Sequence, residues 1–372
     1  MSIKKTHITF LLLLLSLAFS CKDKNKDSPK ADFDRKAMLT NLGNQIIIPA
    51  YRSFQVSVNQ LDSAITAFNL NPDISKLQDL QITFKNTYRA WQLCSPFAFG
   101  PAEQEYLGIN TNTFPTNIIK INTAITTGSY NLNAISNMDM KGLPGIDYLL
   151  FGIGSDNSAI LEKYTVEAEA ANRKKYLKDL SSDLQTKLNS VLNAWLPGGG
   201  NYINTFMNAE GTDIGSSLGL LTNMIDHDLD GLKNYKLGIP LGKQSAGVIY
   251  PEKVEGYYCG ISAELLWIQM KAVENIYLGK SSNNDGVSYD DYLTHIDAKY
   301  NGGSLNDAIK GQFTATINKL QAVPDPLSAT IINNADPANV AYKEVQKLLV
   351  LMKTDMTSSL GILITYVDND GD

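Results

Sequence analysis

The apolar residues of this chain recur mostly at the three- and four-residue spacings of an amphipathic helix. One stretch has them at Ile74, Leu77, Leu80, Phe84, Tyr88 and Trp91. Side chains at these spacings share one face of a helix, so the pattern predicts a helix over residues 74–91. The preceding Asn71 and Pro72 favour an N-cap at Asn71, with proline at the first helical position.

The same pattern predicts helices in both halves of the chain. They lie at about residues 158–195, 214–235, 261–278, 304–320 and 339–363. Pro197 and the glycines that follow it end the first of these, and no run of alternating apolar and polar residues competes with them. The sequence therefore predicts an all-α fold of two helical-bundle domains, at residues 35–197 and 201–372. Residues 147–152 and 275–279 end in similar Tyr/Leu and glycine patterns, a weak sign of internal duplication.

The first residues form a targeting segment. Two lysines precede an apolar run over residues 10–19 that is too short to span a bilayer, and Cys21 follows soon after. This arrangement resembles a bacterial lipoprotein signal peptide at residues 1–20, after which Cys21 is lipidated. The charged residues 21–34 then form a flexible tether. We expect an outer-membrane lipoprotein of the cell envelope, held to the membrane by Cys21; the alternative is ordinary cleavage that leaves Cys21 as a free thiol.

Composition narrows the classes of function. The 372 residues include 32 Lys and Arg against 38 Asp and Glu, a formal charge of −6, so we expect no nucleic-acid partner. Beyond the signal peptide the histidines are His227 and His295, which lack the one-turn spacing of a zinc protease. A metal site would therefore depend on carboxylates, which favour iron, calcium or manganese.

Nucleophilic catalysis has little support in the sequence. There is no G-x-S-x-G motif, and Cys94 follows Trp91 at helical spacing, which is typical of a small buried residue. Cys259 is the one candidate partner for a disulfide with Cys94 in an oxidising compartment. Spacing does not show whether their Cα atoms approach each other, so this disulfide stays open.

Two acidic clusters have simpler interpretations than metal binding. Residues 226–230 (Asp-His-Asp-Leu-Asp) could present His227 and Asp230 on one helix face, but we interpret them as a solvated face whose acids pair with Lys233 and Lys236. Residues 368–372 offer oxygen ligands without the distal glutamate of a calcium loop. We interpret them as a polar tail.

The segment at residues 141–152 (Lys-Gly-Leu-Pro-Gly-Ile-Asp-Tyr-Leu-Leu-Phe-Gly) is the richest in candidate chemistry. Gly142 and Pro144 interrupt the backbone, and Asp147 stands among apolar neighbours in what the pattern predicts as the first turn of a helix. Free N–H groups at a helix start would stabilise its carboxylate. Asp147 is then either a capping acid or an acid that faces a cleft with a perturbed proton affinity.

This segment resembles the GxHxxE signature of the imelysin-like proteins. Gly142 matches the glycine, Pro144 stands where the family has histidine, and Asp147 stands where it has glutamate. Other segments similar to the family follow in order at residues 46–51, 88–91, 99–101, 112–116, 235–242, 254–262 and 360–372. The resemblance extends from about residue 35 to the end of the chain.

The resemblance implies two helical bundles, related by an approximate duplication, with a pocket between them. Imelysins are classed as peptidases, and many members are linked to iron uptake at the bacterial envelope. Proline supplies neither a ligand atom nor a proton, so Pro144 cannot replace the family's histidine. Asp147 is also one methylene shorter than glutamate, and we therefore predict that peptidase chemistry is lost.

The expected function is a binding or accessory component of iron- or haem-linked uptake, with iron or calcium as a candidate ion. The expected pocket residues are Gly142, Pro144, Asp147, Glu255, Tyr257, Tyr258 and Ser262, of which the last four match the family's second pocket-forming stretch. Asp147 and Glu255 are the metal candidates. One alternative is a metallopeptidase whose ion is held by Asp147, Glu255 and Asp226, and another is a structural interaction module.

Overall fold

Helices form nearly all the secondary structure of the computed structural model, which describes residues 32–366. The all-α prediction is therefore confirmed. The signal peptide, Cys21 and the acidic tail at 368–372 lie outside the described residues, and the division into two domains stays a prediction. No helix within residues 32–366 combines the length and the apolar character that a membrane crossing needs.

The first half of the described chain is built around two long helices that flank a third. Its α-helices are α1 (Arg35–Asn41), α2 (Ile48–Leu70), α3 (Ile74–Gln92), α4 (Pro101–Gln104), α5 (Leu107–Asn112), α6 (Ile118–Thr127), α7 (Gly142–Asp147), α8 (Asn157–Thr165) and α9 (Ala170–Trp195). Its π-helical turns are Leu42–Ile47 and Tyr148–Gly152, and its 3₁₀ turns are Ser95–Phe97 and Ile135–Met140. Helix α2 packs against both α3 and α9, which buries Phe54, Leu80 and Trp195.

The second half repeats the arrangement of one central helix between two others. Its α-helices are α10 (Tyr202–Asn208), α11 (Ser217–Gly231), α12 (Ser262–Tyr277), α13 (Tyr289–His295), α14 (Leu305–Gln321), α15 (Leu327–Asn333), α16 (Asp336–Val350) and α17 (Thr357–Leu360). Its π-helical turns are Leu232–Gly238 and Leu351–Met356, and a 3₁₀ turn lies at Pro251–Lys253. Helix α14 packs against both α12 and α16.

Two short antiparallel hairpins lie between α12 and α14. Strands β1 (Lys280–Ser281) and β2 (Asn284–Asp285) pair Lys280 with Asp285, and β3 (Lys299–Tyr300) and β4 (Gly303–Ser304) pair Lys299 with Ser304. Strands of two residues are too short to produce a period-two pattern, so the sequence could not indicate them.

Helices α3 and α12 contact each other and join the two halves. Arg89 on α3 makes a two-pronged ion pair with Glu264 on α12, with its Nε 2.9 Å from Oε1 and its Nη2 2.8 Å from Oε2. The functional residues described below lie near this junction, because they come from α3, from the loops around α5 and α7, and from the segments before α12.

Two details of the helix predictions are wrong. Helix α3 is capped by Asp73, whose Oδ1 accepts the N–H of Lys76 at 2.8 Å, and not by Asn71. The single helix predicted over 158–195 is two helices, α8 and α9, which pack against each other across a break. The break allows Tyr164 to lie against Phe68, with ring centroids 5.0 Å apart, so tertiary packing overrides the continuous helical pattern.

Candidate ligand-binding site

The first residue of α7 has a backbone that requires glycine. Gly142 has φ +66°, in the left-handed region that a Cβ makes unfavourable. A Cβ at this position would lie 2.3 Å from the carbonyl oxygen of Thr111. The lack of a side chain therefore lets α7 pack closely against the end of α5.

Asp147 is the last residue of α7, so the prediction that it lies in the first turn of a helix is wrong. Its side chain is 2% exposed. Its Oδ2 accepts the backbone N–H of Tyr258 at 3.0 Å, and its Oδ1 accepts that of Cys259 at 2.8 Å. Asp147 does not cap its own helix, as one of the two interpretations held. Instead it accepts N–H groups of a turn 111 and 112 positions away, and it lines a cavity with a raised pKa, in line with the other interpretation. Sequence spacing gives no signal of such a long-range contact.

Burial dominates the proton affinity of Asp147. Loss of solvation raises the pKa of its carboxyl to about 7, although the hydrogen bonds from Cys259 and Tyr258 lower it. Burial also raises the pKa of the Cys259 thiol, and the neighbouring Asp147 adds to that effect. Near neutral pH, both protonation states of Asp147 are accessible.

Glu255 is the other deeply buried carboxylate, at 1% exposed. Its Oε2 lies 2.7 Å from Nζ of Lys236, and its Oε1 accepts from Nε2 of Gln92 at 2.9 Å and from Nδ2 of Asn112 at 2.6 Å. Lys236 also donates to Oε1 of Gln92 at 3.0 Å, and the Tyr88 hydroxyl donates to Oδ1 of Asn112 at 2.7 Å. We call these five side chains the Glu255 network.

The remaining predicted pocket residues lie in different surroundings. Tyr257 is partly exposed and its ring meets that of Tyr258 edge to face, with centroids 5.0 Å apart. Tyr258 also packs against Tyr148 at 5.3 Å. Ser262 begins α12 and is buried, with no hydrogen-bond partner for its Oγ among the described residues.

Two cavities share the loop residues Phe114 and Pro115. The small cavity, of about 180 Å³, is lined also by Pro144, Asp147 and Tyr258, together with Thr116, Ile118, Glu252, Val254, Gly256 and Tyr257. The large cavity, of about 540 Å³, is lined also by Trp91, Ser95, Ala98, Gly108, Ile109, Asn112, Thr113, His227, Asp228, Gly231, Tyr235, Lys236, Ile239, Lys253 and Gln269. Asn112 and Lys236 of the Glu255 network thus lie in the wall of the large cavity.

The cluster at 226–230 is not a solvated helix face, so that interpretation is wrong. Asp226 is fully buried and neither of its carboxylate oxygens has a hydrogen-bond partner among the described residues. Burial and the nearby Asp230 raise the pKa of Asp226. Asp230 accepts the Tyr366 hydroxyl at 2.6 Å and Nζ of Lys353 at 3.2 Å. Of the two predicted lysine partners, Lys233 does lie 3.8 Å from Oδ1 of Asp230, whereas Lys236 pairs with Glu255 instead.

The donor atoms of the signature segment do not fit a bound iron or calcium ion as they stand. Pro144 has no ligand atom, and both oxygens of Asp147 already accept backbone N–H groups. Glu255 is held by Lys236 and two side-chain amides. Residues 32–366 contain no group of three or more His, Cys, Asp and Glu side chains placed to hold a metal ion.

Cys94 and Cys259 are both buried free thiols. The disulfide that the sequence left open is therefore not formed in this structure. Burial raises the pKa of both thiols, and a buried thiol of high pKa is a poor nucleophile.

Sequence reasoning missed three partners of Glu255, namely Gln92, Asn112 and Lys236. Lys236 carried a usable signal, since it is flanked by Tyr235, Leu237 and other apolar residues. A lysine in an apolar segment is rarely buried without a carboxylate. Gln92 and Asn112 carried none, because their relation to Glu255 depends on how α3, α5 and the loop before α12 meet.

The fold and these contacts define a class of protein: an all-α protein with a buried polar network beside an apolar cavity, a combination typical of ligand-binding proteins. The imelysin family, peptidase family M75, matches residues 47–352. The chain belongs to the imelysin family.

Similar proteins agree with this assignment. "Iron-regulated protein A" of Synechococcus elongatus is 21% identical over 309 residues, which cover 80% of this chain and 79% of that protein. A crystal structure of a candidate iron-regulated protein A precursor from Parabacteroides distasonis has a TM-score of 0.73 at 16% identity, covering 90% of this chain and 97% of that one. An imelysin-like protein from Psychrobacter arcticum has a TM-score of 0.68 at 18% identity, covering 89% and 97%. These two structures share the fold.

Proposed function

We propose that this protein is a non-catalytic binding lipoprotein of the cell envelope that serves iron- or haem-linked uptake. In this proposal a lipid on Cys21 anchors it to the outer membrane, and its partners are components of the uptake system. Two things support the proposal: the similarity to proteins named as iron-regulated, and the lipoprotein-like N-terminal sequence.

The observation that carries the non-catalytic part is the engagement of Asp147. A general acid or base, or a metal ligand, must direct an oxygen at its substrate or ion. Both oxygens of Asp147 instead hold the backbone of Tyr258 and Cys259. Pro144 lies beside it in the small cavity and supplies no donor atom.

We place the ligand in the cleft formed by the two cavities on either side of Phe114 and Pro115. Asn112 and Lys236 present fixed polar atoms to the large cavity, because the Glu255 network holds them from behind. Such preorganised groups orient a ligand without a large entropy cost on binding. Tyr257 and Tyr258 supply aromatic surface in the small cavity.

The test is a calorimetric titration of the full chain with haem, ferrous iron, ferric iron and calcium, together with a peptide-cleavage assay with and without chelator. We expect haem to bind and to raise the melting temperature, because a ligand that binds the folded state stabilises it. The iron and calcium ions are the comparison, since the donor atoms around Asp147 and Glu255 do not fit them. We expect no cleavage. Transcript levels under iron starvation are an independent readout, and they should rise.

The matched variants are Asp147→Ala in the site and Asp73→Ala at the cap of α3. The second variant also loses a carboxylate contact, but at a position far from Asp147 in sequence. Binding should weaken in the first and stay unchanged in the second. Cleavage that the chelator abolishes would instead support the metallopeptidase alternative. A melting temperature unmoved by every ligand, with no response to iron starvation, would support the structural interaction module.

A further inference from the structure

The large cavity has the size and the lining of a site for a small organic molecule. Its volume of about 540 Å³ falls within the roughly 300–1,000 Å³ range of such sites. Trp91, Phe114 and Tyr235 contribute rings to its wall, and Ile109 and Ile239 contribute aliphatic surface. Flat aromatic ligands gain most from walls of this kind, because ring pairs add to the burial of apolar area.

The charged groups that face this cavity are not all paired at short range. Lys236 is compensated by Glu255, at 2.7 Å. Asp228 accepts from Nε2 of Gln269 at 2.6 Å, and burial raises the pKa of its carboxyl. Lys253 lies over the ring of Tyr250 at 4.1 Å, and no carboxylate among residues 32–366 lies within ion-pair distance of it. Lys253 therefore presents a positive charge at the cavity wall that no carboxylate of the described residues neutralises at short range.

Two residues of the cavity wall also have unused hydrogen-bonding atoms. The indole N–H of Trp91 and the amide Oε1 of Gln269 are buried without a partner among the described residues. A buried donor or acceptor without a partner is unfavourable, so a molecule that supplies the partners gains affinity. The cavity wall thus offers one hydrogen-bond donor and one hydrogen-bond acceptor to a bound molecule.

We propose that the large cavity binds a compact organic anion with an aromatic body, its acidic group near Lys253 and its ring system between Trp91, Phe114 and Tyr235. The proposal rests on the proposed function for the place of binding and goes beyond it in naming the chemistry of the ligand.

The probe is 1-anilinonaphthalene-8-sulfonate, an aromatic anion whose fluorescence rises in an apolar site. N-phenyl-1-naphthylamine has the same ring system without the sulfonate and is the matched neutral probe. On the full chain we expect the anion to bind at least about tenfold more tightly than the neutral probe, a ratio that corresponds to about 1.4 kcal/mol. Equal affinity for the two probes would overturn the charge part of the proposal.

Two glycines allow the cavity to be filled without disturbing the fold. Gly108 lies in its wall, and a Cβ there would meet nothing within 4 Å. Gly311, in α14, is equally open but is not among the lining residues. Gly108→Leu should weaken binding of the anion at least about tenfold by occupying the apolar space, and Gly311→Leu should leave it unchanged. Equal binding by both variants would overturn the location.

The variant Lys253→Gln removes the positive charge of Lys253 from the cavity wall and keeps the aromatic surface of the wall. It should lower affinity for the anion by several fold and leave the neutral probe unaffected, because the ring system still has its wall. The outcome also separates this inference from the proposed function. Haem binding, together with anion binding that neither Gly108→Leu nor Lys253→Gln weakens, would overturn the inference and leave the proposed function standing. Anion binding that both variants weaken, with no haem binding, would do the reverse.

Discussion

Asp147 and Glu255 are both almost fully buried acids in the same region, yet the fold accommodates them in opposite ways. Asp147 receives two backbone N–H groups. Glu255 receives a lysine at 2.7 Å and two side-chain amides. The first acid is bound by backbone N–H groups and the Cys259 thiol, and the second is part of a network with a full countercharge.

The difference shows that two equally buried carboxylates can have different electrostatic environments. Asp147 has no ion-pair partner among the described residues; desolvation raises its pKa to about 7 although Lys85 lowers it, so it changes protonation close to neutral pH. Glu255 faces a cation directly, and its lysine is also fixed by Gln92. We infer that Asp147 responds to pH, whereas the Glu255 network is a permanent structural part of the cavity wall.

The largest expected effect comes from removing the countercharge. Lys236→Met should destabilise the fold by about 3–5 kcal/mol, because it leaves Glu255 charged, buried and without its cation. Urea denaturation measures the free energy of unfolding. The double variant Lys236→Met/Glu255→Gln should recover much of that loss, since no isolated charge remains. If the double variant loses as much free energy of unfolding as the sum of the two single variants, Lys236 and Glu255 are not coupled. The contrast drawn between Asp147 and Glu255 would then be wrong.

The next effect is a pH dependence that belongs to Asp147. Its pKa rises from 3.8 to about 7 on folding, so the folded state binds more protons than the unfolded state between these values. Stability is therefore greatest below pH 4 as far as this group is concerned, and it is lost as pH rises to 7. The slope approaches about 1.4 kcal/mol per pH unit.

Asp147→Asn is the control for this pH dependence. Asp226 and Asp228 also have raised pKa values, so the wild-type curve contains their contributions as well. The difference between wild type and Asp147→Asn isolates Asp147, and we expect the variant to lose less stability between pH 4 and pH 7. Parallel curves for the two proteins would mean that Asp147 stays ionised when folded.

The smallest effect is expected at a third acid, Glu264, which pairs with Arg89 at the junction of α3 and α12. Both side chains are about one-third exposed, at 34% for Arg89 and 28% for Glu264. Water and salt screen such a pair, so Arg89→Met should cost only about 0.2–1 kcal/mol despite the two-pronged geometry. A loss as large as that of Lys236→Met would show that burial is not what distinguishes the two ion pairs.

Helix positions could be predicted from the sequence because they depend on local spacing. Helices α3, α12 and α14 begin and end within about two residues of their predicted bounds, allowing for the usual uncertainty at helix ends. The choice between Asn71 and Asp73 as cap was missed, since both types cap well. Asp73 is the residue whose side chain reaches the N–H of Lys76.

The sequence could single out some of the residues that line the small cavity, but not the contacts that they make. The sequence singled out Asp147 and Glu255, and the structure places Asp147 beside Tyr258 and Cys259. It could not show that Asp147 caps a distant turn, because capping by a remote residue leaves no periodic pattern. The burial of Asp226 was also missed, since charge near lysines normally indicates solvent.

Phe114 and Pro115 belong to the walls of both chambers. A bulkier or smaller residue at either position would reshape both chambers at once. A substitution that adapts one cavity to a new ligand would therefore also alter the other cavity. We expect the ligand specificities of the two cavities to evolve together.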